Sequence, residues 1–361
     1  MSATVESDDT AYRIVTKERL VGNAMRWRRF GEPVPAGQSL SADGTPDYGV
    51  FGPESVVWEV LLHPATIVFQ YPFQGLIQAT YKPIIAGVRD ADPISRNARK
   101  GTLTFFDVFE RGQRNSGMHA PMWLGDSETA RRMAKHLHTI HTKVAGDIID
   151  VGAPELGGYA ASEPRDAMWA ALTEMHSMLW LYERFAFRDG RPPRRLSPEK
   201  RDRYLAEVAE YCRLVGAEEA KIPHTFAELD ALYEEYADLF GPSETLAIMP
   251  ATGENFEELA GENMKKNFHR SQLPSFFYAI ALDHGLFRQL AIGASSGGLR
   301  RSLGMGPVRS RVAVAGARLG LPLVWVLQQK PFERFYMRLM WGPDGVRLIE
   351  SARELRAQVR R

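Results

Sequence analysis

Three of the nine histidines, His136, His138 and His141, stand within six residues of one another. A neutral imidazole donates one lone pair to a metal while an acceptor behind it holds the other nitrogen. The surrounding segment, SETARRMAKHLHTIHTKVAG, spaces its apolar residues three and four apart and predicts a helix. At about 100° per residue, Met133, Leu137, Ile140 and Val144 gather on one side. His141 lies at one edge of that face and His136 at the other. His138 falls about 60° beyond His141, towards the polar side. By angle alone His136 and His141 are equal candidates to face the interior, and a histidine there also serves as a plain hydrogen-bonded core residue. His138 and His141, three apart, together with His176 further along, could instead form a non-haem metal site, although no carboxylate pair accompanies them.

The elements that must position these side chains are helices. PRDAMWAALTEMHSMLWLYERF and SPEKRDRYLAEVAEYCRLVG repeat the same spacing, and strand-like alternation is scarce. Asp126 or Ser127 is placed to cap the histidine helix and Gly146 to end it. Ser162 precedes Pro164 at the start of the next, and Ser197-Pro198 and Gly216 bracket the third. The 22 prolines and 31 glycines cut the chain into many short helices. Loops are expected at 32–49, 111–126 and 188–197. Without an internal repeat or a clean linker, the expectation is an all-α chain. It comprises a polar tail at 1–12 and one multi-helix globular domain over 13–361.

Charge excludes some partners. Against 44 acids stand 45 Lys and Arg, a net of +1, so nucleic acid is not expected. The single cysteine, Cys212, rules out an intrachain disulfide and a Cys-based zinc cage. Together with an N-terminus lacking an apolar secretory core, this points to a reducing, cytoplasmic setting. Two apolar stretches, Val60–Ala79 and Val312–Leu327, are too interrupted or too short for a span of roughly 20 residues. Both are expected as buried core helices, with shallow peripheral membrane contact the lesser reading for the second. GxGxxG after a strand, GxxxxGK[ST], GxSxG and HExxH are all absent, which sets aside the common nucleotide-dependent and hydrolytic classes.

The words around the histidines carry a resemblance. His141-Thr-Lys-Val144-Ala-Gly146 is similar to the HxxVxG element of the MpaB and rubber oxygenase (latex-clearing protein) catalytic domain, and this selects His141 over His136. Gly52-Pro53-Glu54-Ser55-Val-Val-Trp58 resembles that family's GPxSxxW. Gln78 to Val88, with Pro83 and Gly87, resembles its Q-x-x-x-H-P-x-V-x-x-G-V helix, and Asp92-Pro93-Ile-Ser-Arg96-Asn-Ala-Arg99 its DPxxRxxRT. Tyr159 to Pro164, Trp169 and Tyr182-Glu-Arg-Phe185 are similar to its YxAxxP, W and YExF positions. These words cover roughly residues 50–240 in the family's order.

The resemblance implies a helical fold enclosing haem b, with His141 as the axial iron ligand. It implies Arg96, Arg99 and Lys100 as distal catalytic or propionate-side residues, and Tyr159 and His176 at the cofactor pocket. Imidazole suits iron, and cations pair with haem carboxylates. The expected function is a haem-dependent oxygenase acting with O2 on an apolar or aromatic small molecule. Lys100 replaces the family threonine, Lys82 the histidine of the HP pair and Ala171 the histidine of W-V-H-A-T. No acid near Thr80–Lys82 matches the glutamate of rubber-cleaving members, so polyisoprene cleavage is not expected. These departures leave a second reading, a helical binding protein that keeps the fold with altered chemistry.

Overall fold

Capping side chains set where the helices begin. Short helix α1 (Lys17–Val21) comes first, and residues 31–51 are turns and bridges that end in the first family word. There Gly52 takes φ +76°, and Ser55 Oγ donates to the Gly52 carbonyl at 2.8 Å and accepts from Trp58 N–H at 3.0 Å. This opens α2 (Val56–Leu61) and drives Trp58 into the core, where its Nε1 donates to the Trp123 carbonyl at 2.9 Å. GPxSxxW is thus a left-handed turn, a cap and a core anchor. Helices α3 (Pro64–Gln78), α4 (Lys82–Ala91), α5 (Pro93–Arg99), α6 (Phe105–Leu124) and α7 (Ser127–His141) follow. Asp92 caps α5 and Asp126 caps α7.

A small antiparallel hairpin, β1 (Ala145–Asp147) and β2 (Gly158–Ala160), pairs Gly146 with Tyr159. Beyond it run α8 (Pro164–Phe185), α9 (Pro198–Val215) and α10 (Phe226–Glu235). The rest of the chain forms α11 (Phe256–Lys266), α12 (Leu273–Tyr278), α13 (Leu286–Ala294), α14 (Gly297–Ser302), α15 (Pro307–Leu319), α16 (Leu321–Leu327), α17 (Lys330–Met340) and α18 (Gly342–Val359). The computed structural model describes residues 8–21, 31–147, 156–241, 243, 247–249, 253–279 and 285–359. Apart from the hairpin and isolated bridges, the regular structure of these residues is helical, as expected.

The centre of the molecule is α3 lying along α8, with α9, α13 and α17 packed around the pair and α6 between α7 and α18. Phe185 joins the first two edge-on, its ring 5.0 Å from Phe73 and 5.2 Å from Phe69. Aromatic rings in this arrangement stabilise the core beyond their buried area.

Several expectations are corrected. The segment 111–126 is helical up to Leu124, not a loop. Thr104 and Asp107 form a capping box that starts α6, and its Gly112 is a packing residue, since a Cβ there would stand 2.6 Å from Tyr278 Oη. Helix α7 stops at His141 with Thr142 as its cap, and Gly146 belongs to β1. Ser162 does not cap α8: Glu163 holds that position without a side-chain bond. Val60–Ala79 is buried as expected, but the outer side of Val312–Leu327 is not. Leu319 is 82% exposed and Val312 67%.

The family words meet in space. A Cβ on Gly87 of α4 would stand 3.1 Å from Val144 Cγ1, and one on Gly146 would stand 2.8 Å from the Tyr159 ring. These glycines let α4, the turn after α7 and the hairpin close on one another. Gly146→Ala is therefore expected to lower stability by about 1–3 kcal/mol through overpacking. A thermal denaturation curve identical to that of the unsubstituted chain would show that the contact carries no weight.

Candidate functional site

A cavity of about 650 Å³ opens between α4, α6, α7 and α8, with contributions from α3 and α9. Its size comes from α8. Ala167, Ala170 and Ala171 recur on one face with Glu174, and Ala134 of α7 also lines the space. Residues at i, i+3, i+4 and i+7 share a helix face, so this run opens a void in a helix that otherwise carries large buried side chains. Apolar side chains such as Ile84, Val88 and Leu137 line part of it.

His136, His138 and His141 all reach this cavity, His136 and His141 half-buried and His138 more exposed. Burial lowers the His141 pKa, and the positive charge of Arg111 acts in the same direction. The Ala161 carbonyl nearby opposes both. His141 is therefore neutral at neutral pH. The neutral ring keeps a lone pair on one nitrogen, and His141 lines the cavity.

Deeper in lies a polar cluster that sequence reasoning missed. Glu174 is enclosed, with Oε1 3.0 Å from His119 Nε2 and accepting from Gln74 Nε2 at 2.8 Å. Its Oε2 accepts from Tyr211 Oη at 3.0 Å, and Gln74 Oε1 accepts from Asn115 at 2.9 Å. Burial pushes Glu174 up to about 8, against the Tyr211 and Gln74 bonds that favour its charged form. Burial likewise pushes His119 down to about 3. Both groups are thus neutral at neutral pH, with the proton on the carboxyl. His119 also stacks on Trp123, 5.0 Å away and nearly coplanar in orientation at 11°. His119 stands alone in sequence, so only the fold unites it with Glu174. The alanine run on α8 was the one available sequence signal for the cavity.

Charged residues occupy other parts of the lining, already paired. Arg111 bonds Asp92 at 2.9 Å and Arg114 bonds Glu110 at 2.7 Å. Tyr159 lines the cavity too, its hydroxyl donating to Asp90 at 2.9 Å, and burial raises its pKa.

The structure separates the other candidates from the cavity. Arg96, Arg99 and Lys100 are exposed on α5, because Ser95 and Ala98 take its inner face. Arg99 is occupied by the backbone carbonyls of Arg89 and Asp90. His176 is five residues past Ala171, about 140° around the helix. It faces α10, with Nδ1 3.2 Å from Tyr233 Oη. His138, His141 and His176 therefore do not converge. Among the described residues no three His, Cys, Asp or Glu side chains are grouped to hold a metal ion. Cys212 is buried in α9, and burial pushes its thiol up to about 12, so it is a protonated core residue.

Comparison with protein families matches residues 58–328 to the model described as ER-bound oxygenase mpaB/B'/Rubber oxygenase, catalytic domain. The chain belongs to this family. It is accordingly an oxygenase-class domain whose reaction takes a small-molecule substrate and O2. No curated protein and no solved structure matches the chain. Ala171, which takes the place of the histidine found in many family members, lies in the cavity wall beside Glu174. Glu174 of α8 places a carboxyl in the wall of this cavity.

The raised pKa of Glu174 has a definite sign. A group whose folded pKa exceeds its unfolded value stabilises fully below the unfolded pKa, and that contribution is lost as pH rises through the folded one. The melting temperature of the unsubstituted chain should therefore fall, relative to that of Glu174→Gln, between about pH 5 and pH 9, by roughly a few degrees. Parallel curves for the two chains across that range would mean that Glu174 does not carry the buried proton.

Proposed function

We propose that this chain is a haem b-dependent oxygenase acting on an apolar small molecule, with His141 as the residue that would hold the iron. The observation that carries the proposal is the environment of His141. It is a neutral imidazole at the wall of a cavity of about 650 Å³, beside the Ala161 carbonyl. A haem-ligating histidine needs a free lone pair, and an acceptor beside the ring can fix its tautomer and raise the basicity of the ligating nitrogen.

The rest of the lining fits the group. Ile84, Val88, Leu137 and Val144 offer apolar contact to a macrocycle, and Arg111 and Arg114 offer cations to its two carboxylates. These two arginines take the part that the resemblance gives to Arg96, Arg99 and Lys100. Tyr159 supports the site by fixing α4 to the hairpin, as the contact with Asp90 indicates.

Haem, when bound, supplies iron that binds and activates O2. The chain's own residues do the remainder. The alanine face of α8 leaves room for a substrate. The protonated Glu174 holds a proton at its carboxyl beside His119 Nε2, where an oxygen atom of a substrate or product can accept it. An apolar substrate suits this cavity because neither Glu174 nor His119 is charged at neutral pH.

Purified protein titrated with haem is expected to take up one equivalent and develop a Soret band. His141→Ala should weaken haem binding at least about tenfold, in the range seen when a metal-ligand contact is lost. His138→Ala, at an exposed position on the same helix, should leave the spectrum unchanged. An unaltered Soret band and affinity in His141→Ala would falsify the assignment.

A further inference from the structure

The segment from Gly297 to Met340 differs from the rest of the surface. It carries eight Arg or Lys and one acid, Glu333, and that acid is buried and bonded to Arg353. Among the described residues, eight of the eighteen exposed large hydrophobic side chains lie in this segment. Val308 is 72% exposed and Phe335 69%, while Trp325 and Phe332 are each half-exposed.

Helix α15 shows how the two features are arranged. Its inner side is fixed by α13: a Cβ on Gly293 would collide with the Ala313 carbonyl and with Ala317 Cβ. Ala317 is accordingly buried. At about 100° per residue, Val308, Val312, Ala315 and Leu319 lie within an arc of about 60° on the opposite side. All four are exposed. Arg311 and Arg318 flank that arc on one side and Arg309 on the other, and all three are exposed as well. Helix α16 continues the apolar surface with Trp325. Helix α17 continues it with Phe332 and Phe335, while Arg334 and Arg338 stand on a different side of that helix.

We infer that α15–α17 form a docking face for an anionic lipid surface, on which α15 lies in the plane of the interface. Charge complementarity decides the partner. A row of exposed valine, leucine and aromatic side chains edged by arginines matches the boundary between acyl chains and acidic headgroups. The one acid in the segment is withdrawn from the surface, so the segment itself presents no exposed carboxylate to a negative partner. The pair α15 and α16 has the length and composition of a broken membrane span, bent by 45°. Crossing is disfavoured because α15 already spends its inner side on α13 and would carry three arginines into hydrocarbon. Lying flat lets the valine and leucine side chains enter while the arginines reach back to the headgroups. This inference is independent of haem.

Co-sedimentation of the full chain with vesicles tests it. Binding to vesicles of phosphatidylcholine with about one third phosphatidylserine should exceed binding to phosphatidylcholine alone at least tenfold, and should weaken as salt is raised. Val312→Glu with Leu319→Glu should reduce that binding at least tenfold without altering the melting temperature. Should that pair disturb folding, Phe335→Ser on α17 gives a second variant of an exposed side chain, with binding expected to fall several-fold. Trp325 should contribute a blue shift of fluorescence on vesicle addition that Trp325→Phe lacks. The inference is overturned by failure to bind anionic vesicles at low salt, or by variants that bind as the unsubstituted chain does. A stable dimer in solution, dissociated by these same substitutions, would equally overturn it by identifying a second copy as the partner.

Discussion

The ring of Tyr159 lies against Gly146, and the position of His141 follows from that contact. The hairpin register pairs Gly146 with Tyr159, and one residue beyond the ladder the Ala161 N–H donates to the Val144 carbonyl at 2.9 Å. This leaves the Ala161 carbonyl beside the last turn of α7, where it favours the protonated form of the His141 ring. A slip of one residue would turn Tyr159 to the other side of the hairpin and remove the acceptor. Three separate features therefore stand or fall together: the glycine, the ring that covers it and the polar surroundings of the histidine.

The same contact reaches α4 through Gly87 and Val144, and through the bond from Tyr159 to Asp90. Helix α4 is one wall of the cavity and α7 is another, so the hairpin braces two walls from one side. Across the space, α8 contributes no bulk at three successive lining positions. The void is thus built by subtraction on α8 and by bracing on α4 and α7. Ala→Leu changes on that face would fill it without touching any polar group.

Much of this architecture can be read from the chain, and the reasons differ by element. Helices α7, α8 and α9 are legible because their apolar spacing is regular and their ends carry Asp126, Pro164, Ser197 or Gly216. Helix α6 was hidden, because RGQRNSGMHAP has the composition of a loop and becomes helical through packing on α7, α12 and α18. His141 was selected by a family word, since its angle on the helix did not distinguish it from His136, and both do line the cavity. His119 and Glu174 are 55 residues apart in sequence, and burial rather than any local pattern makes their pairing matter. Arg96, Arg99 and Lys100 form a basic cluster in sequence whose direction is set by the small residues Ser95 and Ala98, which the helix turns inward instead.

The exposed side of α15 poses a related problem of direction. A helix that is apolar on its inner side, through Ala313 and Ala317, and apolar again on its outer side is not satisfied by one protein core. A soluble surface helix of this length would normally carry charge where Val308, Val312 and Leu319 stand. The arginines placed between the two apolar sides set how far the outer one can be immersed. Side chains at about 60–100° from the centre of the stripe lie near the level of the helix axis. They would reach headgroups only if the helix entered by roughly its own radius, a depth of about 5 Å, which is the shallow seating of interfacial helices. The spacing of Arg309, Arg311 and Arg318 around α15 thus argues for contact at the surface of a bilayer and against passage through it.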